Sequence, residues 1–151
     1  MNRNIKFKPE IRRMKKNEMK QVAMILKAES RKEPYNEKWT NTSAVKKIKE
    51  YIKDCNEIYV AVFDKEILGF IIVRREVGWN KGKLIVNELF IKEDYQRQGI
   101  GKMLVKKVER IYQSKVGAMF LTTSKDAKAY KFYQSLGFKA SRRTVYMKKE
   151  V

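Results

Sequence analysis

Residues 96–101, Gln-Arg-Gln-Gly-Ile-Gly, set two glycines between a segment patterned as a strand and one patterned as a helix. Glycine lets backbone approach a ligand closely, and the first turn of a helix leaves N–H groups without partners. Those groups, with the positive end of the helix dipole, suit phosphate oxygens. Arg97 and Lys102 flank the loop with positive charge. The implied chemistry is recognition of a phosphate or pyrophosphate. A Walker loop does not fit, because Lys102 is followed by Met103. The dinucleotide fingerprint does not fit either, because Leu104 stands where a third glycine is needed. What remains is [QR]-x-x-G-x-G at a strand-to-helix junction.

The elements that must position this loop follow from hydrophobic period. Residues 4–13 alternate weakly and read as an edge strand containing Pro9. Met19, Val22, Ala23, Ile25 and Leu26 form one face of a helix from Asn17 to about Glu29. Residues 31–42 read as a polar loop. A second helix, capped by Thr42 or Ser43, runs to about Asp54 with Ala44, Val45, Ile48, Tyr51 and Ile52 inward. Ile58–Phe63 and Ile67–Arg74 read as a hairpin turning at Asp64-Lys65, and Leu84–Ile91 as a third strand. A helix from about Gly99 to Ser114 follows, then a strand at Ala118–Thr122. Next comes a helix from Asp126 to Leu136 closed by Gly137, then a last strand from Phe138 to Lys148. The expected fold class is α/β with a mixed sheet.

The 151 residues suit a single domain, 1–151, and 43% hydrophobic content supplies its core. No apolar run approaches the roughly 20 residues of a membrane helix. The N-terminus has charge but no apolar h-region of a secretory signal, so no membrane association and a cytoplasmic location are expected. The single cysteine, Cys55, has no internal disulfide partner, and the absence of histidine removes His-based triads and the usual metal spacings. No metal is expected. The net charge of +19 is concentrated in part at residues 1–16, with seven basic side chains against Glu10, and at 139–151, with five against Glu150. It reads either as attraction to an anionic partner or as solvated basic faces. Monomer and homodimer are both compatible with the chain.

Residues 84–104 read Leu-Ile-Val-Asn-Glu-Leu-Phe-Ile-Lys-Glu-Asp-Tyr-Gln-Arg-Gln-Gly-Ile-Gly-Lys-Met-Leu. Residues 126–138 read Asp-Ala-Lys-Ala-Tyr-Lys-Phe-Tyr-Gln-Ser-Leu-Gly-Phe. Together they resemble motifs A and B of the GNAT superfamily of acetyl-CoA-dependent N-acetyltransferases. The second does so through A-x-x-F-Y-x-x-x-G-F at Ala129, Phe132, Tyr133, Gly137 and Phe138. The resemblance implies a mostly antiparallel mixed sheet of about six strands, splayed at one parallel pair and flanked by about four helices. It implies that the pyrophosphate of acetyl-CoA lies on Arg97, Gln98, Gly99, Ile100, Gly101 and Lys102. The pantetheine arm would run between strands 84–91 and 118–122 and pair with backbone of Leu89, Phe90 and Ile91. Splayed strands leave N–H and C=O groups that the amides of the arm can satisfy.

The resemblance also makes Tyr133 the acid that protonates the departing thiolate. A phenol of pKa about 10 beside a thiol of about 8.5 suits that task. Tyr130, one turn earlier, is the poorer candidate. Asp126 stands where the family often carries an asparagine touching the CoA arm. Ionised, it accepts hydrogen bonds but cannot donate them, and a helix N-cap is its other reading. Amines of pKa about 10.4 must lose a proton before attack. Glu88, interrupting an apolar strand, is the candidate base; its other reading is a strand-end carboxylate paired with a lysine. Tyr35, Trp39 and Trp79 are loop aromatics that read either as lining the acceptor cleft the resemblance implies or as packing over the sheet edge. The expected function is acetyl transfer to a primary amine of a small molecule or protein. The rival is a basic module, bound to nucleic acid or a ribosome, that keeps the fold and the CoA site.

Overall fold

The computed structural model describes residues 8–151. Its strands are β1 (Glu10–Arg13), β2 (Glu57–Phe63), β3 (Glu66–Glu76), β4 (Gly82–Ile91) and β5 (Val116–Phe120). Its helices are α1 (Met19–Ser30), α2 (Asn41–Lys53), α3 (Ile100–Tyr112) and α4 (Lys128–Ser135). The strands form one sheet in the order β1-β2-β3-β4-β5, antiparallel except for the β4–β5 pair.

The sheet divides two apolar layers. On one face Val60, Phe70 and Ile72 pack with Val22, Leu26, Ala44 and Ile48 of α1 and α2. On the other, Leu68, Ile71, Val73, Leu84 and Val86 pack with Leu104, Val105 and Val108 of α3 and Tyr133 of α4. Alternation in the strands and a 3.6-residue period in the helices produce this layering. The β2–β3 hairpin turns through Asp64 (φ 49°) and Lys65 (φ 64°), both in the left-handed region. That suits the tight two-residue connection read from Asp64-Lys65.

Several expectations shift. The part of the first expected strand at 4–7 lies outside the described residues, and β1 begins only after Pro9. The cap of α2 is Thr40, not Thr42 or Ser43. Thr40 Oγ1 accepts from the Ser43 N–H at 3.0 Å and Ser43 Oγ accepts from the Thr40 N–H at 2.9 Å. Serine at the third helical position completes a reciprocal box usually made with Glu or Gln. Asp126 is not the cap of α4. That position is Ala127, and the Asp126 N–H donates to Ser124 Oγ at 3.2 Å. The close of α4 is as expected: Gly137 (φ 92°) lets the Phe138 N–H donate to the Tyr133 carbonyl at 3.1 Å.

The expected sixth strand, Phe138 to Lys148, is absent from the described sheet, which has five strands. That segment alternates only weakly, and its apolar residues Val145, Tyr146 and Met147 are largely exposed. With no ladder to a neighbour, a strand has neither backbone partners nor a buried face to hold it.

Candidate active site

The loop that precedes α3 is anchored from an unexpected side. Glu29 sits in the last turn of α1, the unfavourable end of the dipole for an acid. Its buried carboxylate accepts from the Glu93 N–H at 3.0 Å, from Gln96 Nε2 at 3.1 Å and from Lys32 Nζ at 2.7 Å. Gln96 also donates to the Ile91 carbonyl at 2.8 Å, and Gln98 to the Asp94 carbonyl at 3.2 Å. Both glutamines therefore fix the loop from within. Arg97 (φ 60°) and Gly99 (φ 84°) turn the chain into α3, whose first N–H groups face out of the helix start.

The two glycines differ in kind. A side chain at Gly99 would meet nothing within 4 Å, so its backbone conformation is what demands glycine. A Cβ on Gly101 would lie 3.2 Å from Cζ of Phe132, so this glycine lets α4 approach α3. That contact carries Tyr133, the next residue of α4, to the α3 side of the sheet.

The parallel pair opens next to this loop. β4 and β5 are paired from Gly82↔Val116 to Ile85↔Phe120 and no further, while β4 continues to Ile91 against β3. Residues 86–91 thus lose a neighbour on one side. Leu89, Phe90 and Ile91 lie along that open edge, and of their carbonyls that of Ile91 already accepts from Gln96. A ligand with its own amides fits an edge of this kind.

A β-bulge decides where Glu88 points. Ile72 faces Glu88 and Val73 faces Val86, so Asn87 is the extra residue. The faces change across it. Leu84 and Val86 pack toward α3, but Leu89 and Ile91 do so beyond the bulge, leaving Glu88 and Phe90 on the α1–α2 side. Unbroken alternation would have turned Glu88 the other way. On that side Tyr51 Oη donates to Glu88 Oε1 at 2.7 Å. Burial pushes the Glu88 carboxyl up to about 7; the Tyr51 hydrogen bond opposes this, Glu37 adds to it and Lys47 reduces it.

Tyr133 is buried, with Phe132 and Phe138 edge-on at 5.1 and 5.4 Å between ring centroids. Burial raises its phenol well above the usual range, and the electrostatic influence of Tyr35 and Glu88 pushes the same way. Tyr133 belongs to the layer on the α3 side of the sheet, whereas Glu88 points to the α1–α2 side. Tyr35 packs edge-on against Phe90 at 5.7 Å, and Trp39 Nε1 donates to Glu37 Oε2 at 2.5 Å. These contacts bring the loop before α2 to the Glu88 end of β4.

Trp79 does not join them. It is fully exposed in the β3–β4 turn, and the six steps along β4 from Gly82 to Glu88 span about 20 Å at roughly 3.3 Å each. Asp126 is exposed, and its side chain makes no recorded contact with the loop or with β4. Tyr133 also borders a cleft of about 960 Å³ lying between β5, α4 and residues 138–146; neither the glycine loop nor Glu88 lines it. Sequence reading missed Glu29, Tyr51 and the bulge. An acid at the wrong end of α1 was the available signal for Glu29, and Tyr51 was visible only as an inward position of α2. Among the described residues there is no cluster of metal-ligating side chains and no helix long and apolar enough to cross a membrane.

Residues 15–149 match the family model described as an acetyltransferase (GNAT) domain. No curated protein sequence matches the chain. Among solved structures, a possible acetyltransferase from Clostridium difficile 630 superposes with TM-score 0.83 at 18% identity, over 96% of this chain and 99% of that one. A transcriptional regulator from Bacillus halodurans C-125 does so with TM-score 0.74 at 27% identity, over 93% and 99%. An aminoglycoside acetyltransferase from an uncultured soil metagenomic sample, in complex with sisomicin, gives TM-score 0.72 at 19% identity, over 94% and 95%.

Proposed function

The chain belongs to the GNAT acetyltransferase family, and from that premise we propose that it transfers the acetyl group of acetyl-CoA directly to a primary amine of a small molecule or a protein. The observation that carries the proposal is the open edge of β4 beside the glycine turn into α3, with Glu88 on that strand and buried Tyr133 in the layer on the opposite face of the sheet. A base on one side of a carbonyl and an acid on the other are what aminolysis of a thioester requires.

The residues present suit acetyl-CoA. The N–H groups at the start of α3, with Arg97 and Lys102, would hold the pyrophosphate. The open edge at Leu89, Phe90 and Ile91 would pair with the pantetheine amides. Bound acetyl-CoA supplies the acetyl group and a thiolate leaving group.

Glu88 accepts one proton from the acceptor ammonium, directly or through one water, and frees the nitrogen lone pair. The nitrogen then forms a bond to the carbonyl carbon as the carbon–sulfur bond breaks. Tyr133 donates its phenolic proton to the departing sulfur. The second nitrogen proton, released as the amide forms, restores Tyr133, and Glu88 gives its proton to solvent. A carboxyl raised to about 7 is poised to take a proton near neutral pH. The raised phenol keeps its proton until sulfur departs, and the same dry surroundings raise the proton affinity of an unsolvated thiolate.

The local charge supports a cationic acceptor. Glu37 and Glu88 face this end of β4 amid Tyr35, Tyr51 and Trp39, on a chain whose net charge is +19. A carboxylate among aromatic rings favours an ammonium group. The test is a panel of primary amines with acetyl-CoA, followed by release of free thiol and by mass analysis of the amine. Acetylated amine in proportion to thiol supports the reading. Thiol release that no amine accelerates overturns it.

A further inference from the structure

We propose that Tyr51 is a positioning residue for Glu88: α2 holds the carboxylate through the Tyr51 hydroxyl and fixes the bulge beneath it through the Tyr51 carbonyl. The proposal rests on the acetyl-transfer reading, to which it adds a residue and a means of control. Two chains of contact reach Tyr51. The first is the 2.7 Å hydrogen bond from its hydroxyl to Glu88 Oε1. The second starts at the extra residue of the bulge: Asn87 Nδ2 donates to Asn56 Oδ1 at 2.7 Å, and buried Asn56 donates through Nδ2 to the Tyr51 carbonyl at 2.9 Å. Neighbouring residues of a regular strand point to opposite faces, so 87 and 88 could not both reach one helix end without the bulge.

The arrangement fixes one carboxylate oxygen and leaves Oε2 with no hydrogen bond recorded among the described residues. That oxygen is the one available to a proton from outside. The phenol donates to Glu88 and keeps its proton while doing so, because burial and the Glu88 charge raise it. A donor of this kind favours the ionised carboxylate, against the burial that disfavours it. The titratable and charged groups facing Glu88 are Tyr51 and Lys47 from α2, Glu37 and Tyr35 from the loop before α2, and Tyr133 from α4. Lys47 Nζ lies 4.7 Å from the Tyr51 ring centroid, so Tyr51→Phe retains the ring that this ammonium covers.

The experiment compares the chain with its Tyr51→Phe variant. The Glu88 carboxyl is titrated by carbon-13 NMR, with Glu88→Gln identifying its resonance, so the readout needs no turnover. Loss of one hydrogen bond to a charged group should move the Glu88 titration upward by about one pH unit. The acid limb of kcat/KM should move with it, with rates approaching those of the unmodified chain at high pH and KM for acetyl-CoA unchanged. An unmoved titration overturns the role of Tyr51. So does an activity loss equal at all pH values, which is the mark of a merely structural residue. If the titration moves but no amine is acetylated, the positioning contact stands and the acetyl-transfer reading falls.

Discussion

Replacing Glu88 with Gln should make the protein more stable, by an amount that depends on pH. The folded carboxyl titrates at about 7 against an ordinary value of 4.5, chiefly through burial. Converted at 1.36 kcal/mol per pH unit, holding that charge in place costs about 3 kcal/mol. Below 4.5 both folded and unfolded chains keep the proton. Between 4.5 and about 7 the unfolded chain has lost it and the folded chain has not, so stability falls as pH rises. Above about 7 the full cost is present. Glutamine is of similar shape and its carbonyl still accepts from Tyr51, but it has no proton to lose. The stability difference, Glu88→Gln minus unmodified chain, should therefore climb by about 3 kcal/mol across that window and be flat on either side. Urea midpoints at a series of pH values, converted with a common slope, measure it. A difference that is constant with pH, or that falls, would refute the raised carboxyl and with it the reasoning from burial. The same variant should lose roughly 10²- to 10⁴-fold in kcat/KM, together with the acid limb near neutral pH, as removal of a general base does.

Tyr133→Phe should lower kcat by roughly 10²-fold or more with acetyl-CoA affinity unchanged, since it removes a proton donor and no binding contact; equal turnover removes Tyr133 from the acid role. Gly99→Asp should weaken acetyl-CoA binding at least about tenfold by calorimetry while costing about 1 kcal/mol of stability for the left-handed backbone; normal affinity in the folded variant sinks the loop assignment. Glu29→Ala should cost about 1–3 kcal/mol, because the Glu93 N–H and the Gln96 amide lose the buried carboxylate that accepts from them, and should also weaken acetyl-CoA binding; a stability unchanged in urea contradicts the anchoring role. Thr40→Ala should cost about 1 kcal/mol through loss of the α2 cap, read from the urea midpoint.

Much of the architecture was written in local pattern. The helix faces Val22–Leu26 and Ala44–Ile48 announced one layer, and the unbroken apolar strands at 58–63 and 67–74 announced a sheet buried on both faces. Gly99 and Gly137 were legible because their backbone needs are local. The last strand was not, because a strand exists only if a neighbour accepts its ladder, and residues 138–148 have none among the described residues. The direction of Glu88 was not legible either. One extra residue at Asn87 reverses the alternation, and the side chains on either side of that turn of face meet Asn56 and Tyr51, 31 and 37 residues away in sequence. Trp79 looked equivalent to Tyr35 and Trp39 in the sequence; strand length alone separates it from them.

Direct acetyl transfer requires a ternary complex in which Glu88 and Tyr133 act together. The decisive measurement is a reaction with carbon-labelled acetyl-CoA and a primary amine, run with the unmodified chain, Tyr133→Phe and Glu88→Gln, with products and protein both weighed by mass spectrometry. The label should move to the amine, one free thiol should appear for each amide, the protein should carry no label, and both variants should be slowed. Label on the protein, or variants as fast as the unmodified chain, would contradict it.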